Sequence, residues 1–257
     1  MARGTALITG ASAGLGAEFA KLCAAGGYDV VLLARRTARL DELAAELAKS
    51  HGVNARPLAA DLSDPAARSA IFAQLSDTPV DILINNAGFG LRGRFAETDW
   101  VRDASLIEVN MVALVHLTKL FLPEMIRRSS GRVLNVASTA AFVPGPFMAL
   151  YYASKAFVLS FSEALANEVL GTGVSVTVLC PGATRTEFAQ AAGVADSELF
   201  HGPVMGAEEV ALIGYDAMMA GKPSMIAGAR NRWMIRGTRL VSRNFVAAQT
   251  RKLNWGK

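Results

Sequence analysis

Short apolar runs alternate with longer helical patterns along most of the chain, and no other feature of the sequence limits the fold as strongly. Thr5–Thr9, Val30–Leu33, Ala55–Ala60, Val80–Ile84, Arg132–Val136 and Val174–Leu179 read as strands. Between them, residues 38–50, 65–76, 105–128 and 151–170 carry helical periodicity, and Leu15, Phe19, Leu22 and Cys23 mark a further helix directly after the first strand. Asp64 followed by Pro65 supplies a cap and a first-turn proline for 65–76. In 105–128 the apolar stripe runs through Leu106, Val109, Ala113, Leu117, Leu120 and Phe121. Strands that are apolar on both faces need helices on both faces, and right-handed crossovers then predict a doubly wound α/β parallel sheet. The chain has 257 residues and no internal repeat or low-complexity linker, so it reads as a single domain over 1–257.

With 52% hydrophobic residues the chain can build a substantial core, and its 23 glycines follow no three-residue period, so disorder and collagen-like repetition are excluded. The net charge of +4 is local in origin. Of 26 basic residues, eight (Arg230, Arg232, Arg236, Arg239, Arg243, Arg251, Lys252 and Lys257) stand in 229–257, which holds no acid, and the remaining 18 face 22 acidic residues. Nucleic-acid binding is therefore not expected of the main body. Within 229–257, Arg232, Arg236, Arg239 and Arg243 recur at helical spacing beside Trp233, Leu240 and Val241, which describes a basic amphipathic C-terminal extension. Such a helix can lie on an anionic membrane surface, cover a neighbouring subunit's pocket, or pack on its own domain with arginines outward. Two cysteines without a Cys-x-x-Cys, and three histidines, give no metal site and suggest a reducing compartment. No signal-peptide pattern and no run of ~20 uninterrupted apolar residues is present, so a cytoplasmic location is expected.

Three groups of residues carry chemistry. The segment Thr9-Gly10-Ala11-Ser12-Ala13-Gly14-Leu15-Gly16 lies between the first strand and the first helix. Glycines there let the backbone approach a phosphate, and the helix N-terminus favours its charge. The second strand ends in Ala34-Arg35-Arg36, where a carboxylate would instead bond the ribose hydroxyls of NAD. A guanidinium can bind a 2′-phosphate through charge-assisted hydrogen bonds, so NADP(H) is preferred over NAD(H), with Arg35 favoured ahead of Arg36. The alternative is that both arginines are simply solvated at a strand end. Finally, Tyr151 and Lys155 are four residues apart on one helix, which puts a phenol and an ammonium on one face, and Ser138 follows the preceding strand. A nearby cation favours the phenolate, and a serine hydroxyl can stabilise charge on a carbonyl oxygen.

Together with Asp61-Leu62, Asn85-Asn86-Ala87-Gly88, Asn110 and Pro181-Gly182-x-x-x-Thr186, these motifs stand in the order and spacing of the short-chain dehydrogenase/reductase superfamily, which the chain resembles from residue 5 to about 228. The resemblance implies a Rossmann-type sheet of about seven strands. It implies Tyr151 as general acid in reduction and base in oxidation, with Lys155 lowering its pKa and holding the nicotinamide ribose, Ser138 orienting the carbonyl, and Asn110 holding a water that links Lys155 to solvent. It implies a cofactor site of Gly10, Ser12, Gly14, Leu15, Gly16, Arg35, Asp61, Leu62, Asn86, Ala87, Gly88, Tyr151, Lys155, Pro181, Gly182 and Thr186, with no metal. Asp61 would bond the adenine; it can equally be a strand-end turn residue. A homodimer or homotetramer is implied as well, and the small and apolar residues around 151–170 suit such an interface.

The expected activity is reduction of a ketone or aldehyde by NADPH, on an apolar substrate such as a 3-oxoacyl or steroid-like compound. The alternatives are NAD(P)-linked alcohol oxidation and a non-catalytic NADPH-binding regulator. Phe89–Phe95, Ala140–Leu150 and Thr186–Met205 are expected around the substrate, with 183–205 as its loop. They offer Phe142, Val143, Pro144, Phe147, Met148, Phe188, Leu199, Phe200, His201 and Met205, and Arg92 and Arg94 can meet an acidic group or water.

Overall fold

The first strand, β1 (Thr5–Thr9), is buried on both faces because its side chains alternate between two helical layers. Ala6 and Ile8 join one core cluster and Leu7 the other. The same alternation sets the rest of the sheet in the computed structural model, which describes residues 2–200 and 204–255. The elements that follow are α1 (Gly14–Ala25), β2 (Asp29–Ala34), α2 (Thr37–His51), β3 (Ala55–Ala59), α3 (Pro65–Gln74), β4 (Val80–Asn85) and α4 (Trp100–Ile107). A π-helical stretch, Glu108–Val112, carries α4 directly into α5 (Ala113–Arg127). Then come β5 (Gly131–Val136), α6 (Ala149–Glu168), β6 (Val174–Cys180), the two-residue β7 (Thr184–Arg185), α7 (Phe188–Ala191) and β8 (Met205–Gly206), which pairs with β7. The chain continues through α8 (Ala207–Met219), β9 (Ser224–Ile226), α9 (Ala229–Thr238) and α10 (Arg243–Trp255).

Seven strands form one parallel sheet in the order β3-β2-β1-β4-β5-β6-β9, with Ala6 opposite Val30 on one side and Ile82 on the other. The chain winds outward in both directions from β1 and β4, so the carboxyl ends of all the long strands share one edge and open a crevice there. β3 is an edge strand; its exposed Arg56 and Pro57 discourage pairing with another chain.

Several boundaries differ from the sequence expectation for local reasons. The long helix begins at Trp100 because Asp99 caps it, accepting from the Val101 and Arg102 amides at 3.4 Å. The run Trp100–Arg127 is long and apolar enough to cross a membrane, yet Leu106, Ala113, Leu117, Phe121 and Met125 are buried among the protein's own core residues. Asp64 accepts from Ala66 N at 2.8 Å and caps α3 as expected. The C-terminal segment, read as one amphipathic helix, forms two. Gly237 and Thr238 are poor helix formers at the end of α9, and Ser242 starts α10 by accepting from Phe245 N at 3.3 Å. Trp233 and Leu240 are exposed at 70% and 88%, whereas Val246, Thr250 and Asn254 form the face of α10 that packs inward.

Candidate active site

The glycine-rich turn is held against β4 by Thr9. Its Oγ1 donates to Ile84 O at 3.2 Å and accepts from Asn86 N and Ala87 N, both at 2.9 Å. Asn86 Nδ2 completes the weld by donating to Thr9 O at 2.9 Å. Gly14 adopts φ +55°, a conformation open to glycine, and a Cβ on Gly16 would lie 2.2 Å from Gly10 O. The turn is thus folded too tightly for side chains, and its backbone faces a cavity of about 510 Å³ along the carboxyl edge of the sheet.

That cavity gathers most of the residues singled out in the sequence. The turn contributes Gly10, Ser12, Gly14 and Leu15, the strand ends contribute Arg35, Asp61, Leu62 and Asn86 to Gly88, and the far side contributes Pro181, Gly182 and Thr186. Ser138, Tyr151 and Lys155 line it too. Gly16 and Asn110 stand behind the wall, the first packed under Gly10 and the second buried at 1% exposure in the π-helical stretch. Asn110 is bound at both ends. Its Oδ1 accepts from Phe89 N at 3.0 Å, and its Nδ2 donates to Phe89 O at 2.9 Å and to Ser154 Oγ at 3.1 Å. Beside it, buried Arg68 donates to Leu62 O at 2.6 Å and pairs with Glu108 at 2.9 Å, which ties the segment after β3 to the same stretch.

Ser138 follows β5; its Oγ donates to Pro181 O at 3.3 Å and accepts from Ala140 N at 3.1 Å. Tyr151 is buried, its ring 5.3 Å from that of Phe188. Burial pushes its phenol well above the usual range, while a hydrogen bond with Ser138 pulls the other way. Lys155 is also buried and donates from Nζ to Val136 O at 2.8 Å; burial lowers its pKa to about 8. In this arrangement desolvation outweighs any cationic pull on the Tyr151 phenol: the Lys155 ammonium is bound to a backbone carbonyl and its Nζ lies 5.9 Å from the centre of the tyrosine ring. The phenol keeps its proton at neutral pH. Cys180 is fully buried with its thiol pushed up to about 12, a packed strand residue.

At the other end, the Ser63 amide donates to Asp61 Oδ1 at 2.9 Å and, with the Ser63 hydroxyl at 2.8 Å and Arg35 nearby, holds the carboxyl below its usual range. Asp61 is therefore a turn residue and a wall of the cavity at once. Arg36 is hydrogen-bonded directly to a carboxylate. Its Nη1 donates to Glu187 Oε2 at 2.8 Å while Nε and Nη2 donate to Ser12 Oγ at 3.2 and 3.0 Å, and Arg39 also pairs with Glu187. Arg39 first and Arg36 second hold the Glu187 carboxyl below its usual range. Neither Arg39 nor Glu187 was singled out in the sequence; the cluster Arg35, Arg36, Arg39 was the available signal, and Glu187 gave none. The dinucleotide fits on two counts: the glycine turn lines the cavity with backbone that no glycine side chain covers, and Arg36 just after β2 already holds an anion.

Of the expected substrate residues, Met148, Phe188 and Phe200 line the cavity, together with Phe89, Ala191 and Val194. Phe142, Val143, Pro144, Phe147 and Met205 do not. His201 and the side chain of Leu199 lie outside the described residues. Arg92 pairs with Asp196 at 2.9 Å and Arg94 with Glu97 at 3.5 Å, both away from the cavity. Phe147 adopts φ +67° and its ring lies 4.2 Å from that of Trp255, so α10 braces a strained residue beside the site. Among the described residues no cluster of three or more His, Cys, Asp or Glu could hold a metal.

The description "short chain dehydrogenase" belongs to the family model that matches residues 4–196. The chain is 37% identical over 180 residues to the ketoacyl reductase HetN of Nostoc sp., covering 69% of this chain and 62% of that protein. It is 34% identical over 180 residues to a 7beta-hydroxysteroid dehydrogenase of Collinsella aerofaciens, covering 70% and 68%. The match spans 60 to 62% of the length of three curated relatives, HetN and two others. Among solved structures, a short-chain dehydrogenase from Sphingobium yanoikuyae in complex with NADPH superposes with a TM-score of 0.83 at 35% identity, over 92% of this chain and 94% of that one.

Proposed function

The chain belongs to the short chain dehydrogenase family, and from that premise we propose that it is an NADPH-dependent reductase of apolar ketones or aldehydes. Its relatives are dehydrogenases and reductases of hydroxyl and carbonyl groups, and it is an oxidoreductase of the same kind. One observation carries the finer reading: Ser138, Tyr151 and Lys155 meet in the buried part of a cavity whose other end has Arg35 and Arg36 where a ribose-binding carboxylate would stand.

The residues divide the work. The turn Gly10–Gly16 and the segment Asn86–Gly88 hold the dinucleotide, Arg35 and Arg36 take its 2′-phosphate, and Lys155 and Thr186 hold its nicotinamide half. NADPH, when bound, supplies a hydride to the substrate carbon. Ser138 donates a hydrogen bond to the substrate carbonyl, and Tyr151 gives its phenolic proton to that oxygen as the charge develops. Burial keeps Tyr151 protonated at neutral pH, as an acid requires. Lys155, largely ammonium at pH 7, replaces the proton, and Asn110 behind it would hold a water linking Lys155 to solvent. Met148, Phe188, Val194 and Phe200 exclude water and favour an apolar substrate. A structural relative described as a bulky-bulky ketone specific alcohol dehydrogenase, with a TM-score of 0.80 at 29% identity, supports a bulky carbonyl compound. The half-buried stack of Phe157 and Phe161 on α6 supports a homo-oligomer, which sedimentation would test.

The decisive test is a screen of 3-oxoacyl thioesters, oxo-steroids and bulky aryl ketones, following loss of nicotinamide absorbance with NADPH and with NADH. Faster turnover with NADPH is expected. Turnover of alcohols with NAD alone would replace this reading by the oxidative one, and cofactor binding without turnover of either class would leave a regulator.

A further inference from the structure

Arg36 stands between two parts of the chain that the fold brings together across the cavity mouth. On one side it donates to Ser12 in the glycine-rich turn, and on the other to Glu187, which lies 151 positions further along the sequence. Arg39, one turn into α2, holds the second oxygen of the same carboxylate. One carboxylate therefore engages two guanidiniums at the end of β2. The side chains of Arg36, Arg39 and Glu187 are 46%, 47% and 49% exposed, so water screens each pair and the contact exchanges readily. Glu187 is followed by Phe188, whose ring rests 5.3 Å from that of Tyr151. The tether at the cofactor end is thus one residue away from a wall of the catalytic end.

We infer that Glu187 is a built-in competitor for the 2′-phosphate of the cofactor. The inference rests on the NADPH reading above. In the free protein Glu187 occupies Arg36 and Arg39 and draws the segment after β7 over the mouth of the cavity. A 2′-phosphorylated dinucleotide presents more negative charge and more acceptor oxygens to the same guanidiniums and takes them over. NADH carries a neutral hydroxyl at that position and has no reason to displace the carboxylate. Glu187 therefore weakens NADPH binding selectively and sets how far the protein prefers one dinucleotide over the other. Its release from β2 also frees the segment that carries Phe188, which links arrival of the phosphate to the shape of the substrate side.

The test is a fluorescence titration of the full-length protein with NADPH and with NADH, for the wild type, Glu187→Gln, Arg36→Ala and the double variant. Both side chains are half exposed, and circular dichroism would verify that each variant folds. Glu187→Gln is expected to bind NADPH about five- to tenfold more tightly, with NADH affinity changed by no more than about twofold. The gain should shrink in the Arg36→Ala background, because only Arg39 is left to compete for. An equal gain for both cofactors, a gain undiminished without Arg36, or weaker NADPH binding in Glu187→Gln would each overturn the inference. If the wild type binds NADPH but Glu187→Gln is indistinguishable from it, the competitor role alone fails. If the wild type binds neither dinucleotide, the functional reading fails with it.

Discussion

The phenol of Tyr152 donates to Asn254 Oδ1 at 2.9 Å, so the residue next to Tyr151 is held by the last turn of the C-terminal helix. Asn254 is fully buried, and its Nδ2 donates in turn to Pro146 O at 2.9 Å. Replacing Asn254 by alanine leaves both the phenol and a carbonyl without their partner. Unfolding in denaturant should show a loss of about 2 kcal/mol, and adding Tyr152→Phe should cost less than in the wild type. Additive losses would mean that the two residues are not coupled.

Tyr151→Phe keeps the ring that packs on Phe188 and removes the transferable proton. Turnover should fall by about 10²- to 10⁴-fold while NADPH affinity stays within about twofold. Near-normal turnover would remove Tyr151 from the chemistry.

Asn110 satisfies both backbone groups of Phe89 from inside a helix. Asn110→Leu is close in size but cannot donate or accept, so it should cost about 2 to 3 kcal/mol in denaturant unfolding. Activity should fall as well, through a displaced Ser154 and α6. An undiminished stability would show that water replaces the carboxamide at no cost.

Alkaline stability follows from the buried thiols. Cys23 and Cys180 are pushed from 9.0 to about 12 by burial. The unfolded chain releases these protons first, so stability conferred by the protonated thiols is complete below pH 9 and is lost as pH rises toward 12. Lys155, lowered from 10.5 to about 8, works in the opposite sense and adds stability between those two values. The melting temperature should therefore change little just above pH 9 and fall steeply above about 10.5, where Lys155 no longer offsets the thiols. Cys23→Ala should flatten the fall; an unchanged pH profile would discount the thiols.

Most of the site was legible because it is built where strands end. Gly10, Asn86, Ser138 and Pro181 each follow an apolar strand that announces itself, Asp61 follows the less apolar β3, and the parallel sheet carries those ends to one edge without further instruction. Tyr151 and Lys155 share a helix face by spacing alone. Glu187 and Asn254 were not legible, since each acts on a partner more than 100 positions away; the four-residue spacing of Val246, Thr250 and Asn254 marks a helix face but not what it meets. The split of the tail into α9 and α10 was hidden because Arg232, Arg236, Arg239 and Arg243 keep helical spacing across the break. Asn110 was assigned inside a regular helix; that its turn is π-helical follows from hydrogen bonds, which spacing does not display.

Glu108–Val112 amounts to one surplus residue retained in mid-helix. Excising one residue there would let α4 and α5 fuse into an ordinary helix with little rotation of one part against the other, because the wider i→i+5 turn already absorbs the extra residue. Leu106 and Leu117, buried on either side of the stretch, would keep their faces. What a one-codon deletion would remove is the widened turn itself, from which Asn110 reaches both backbone groups of Phe89.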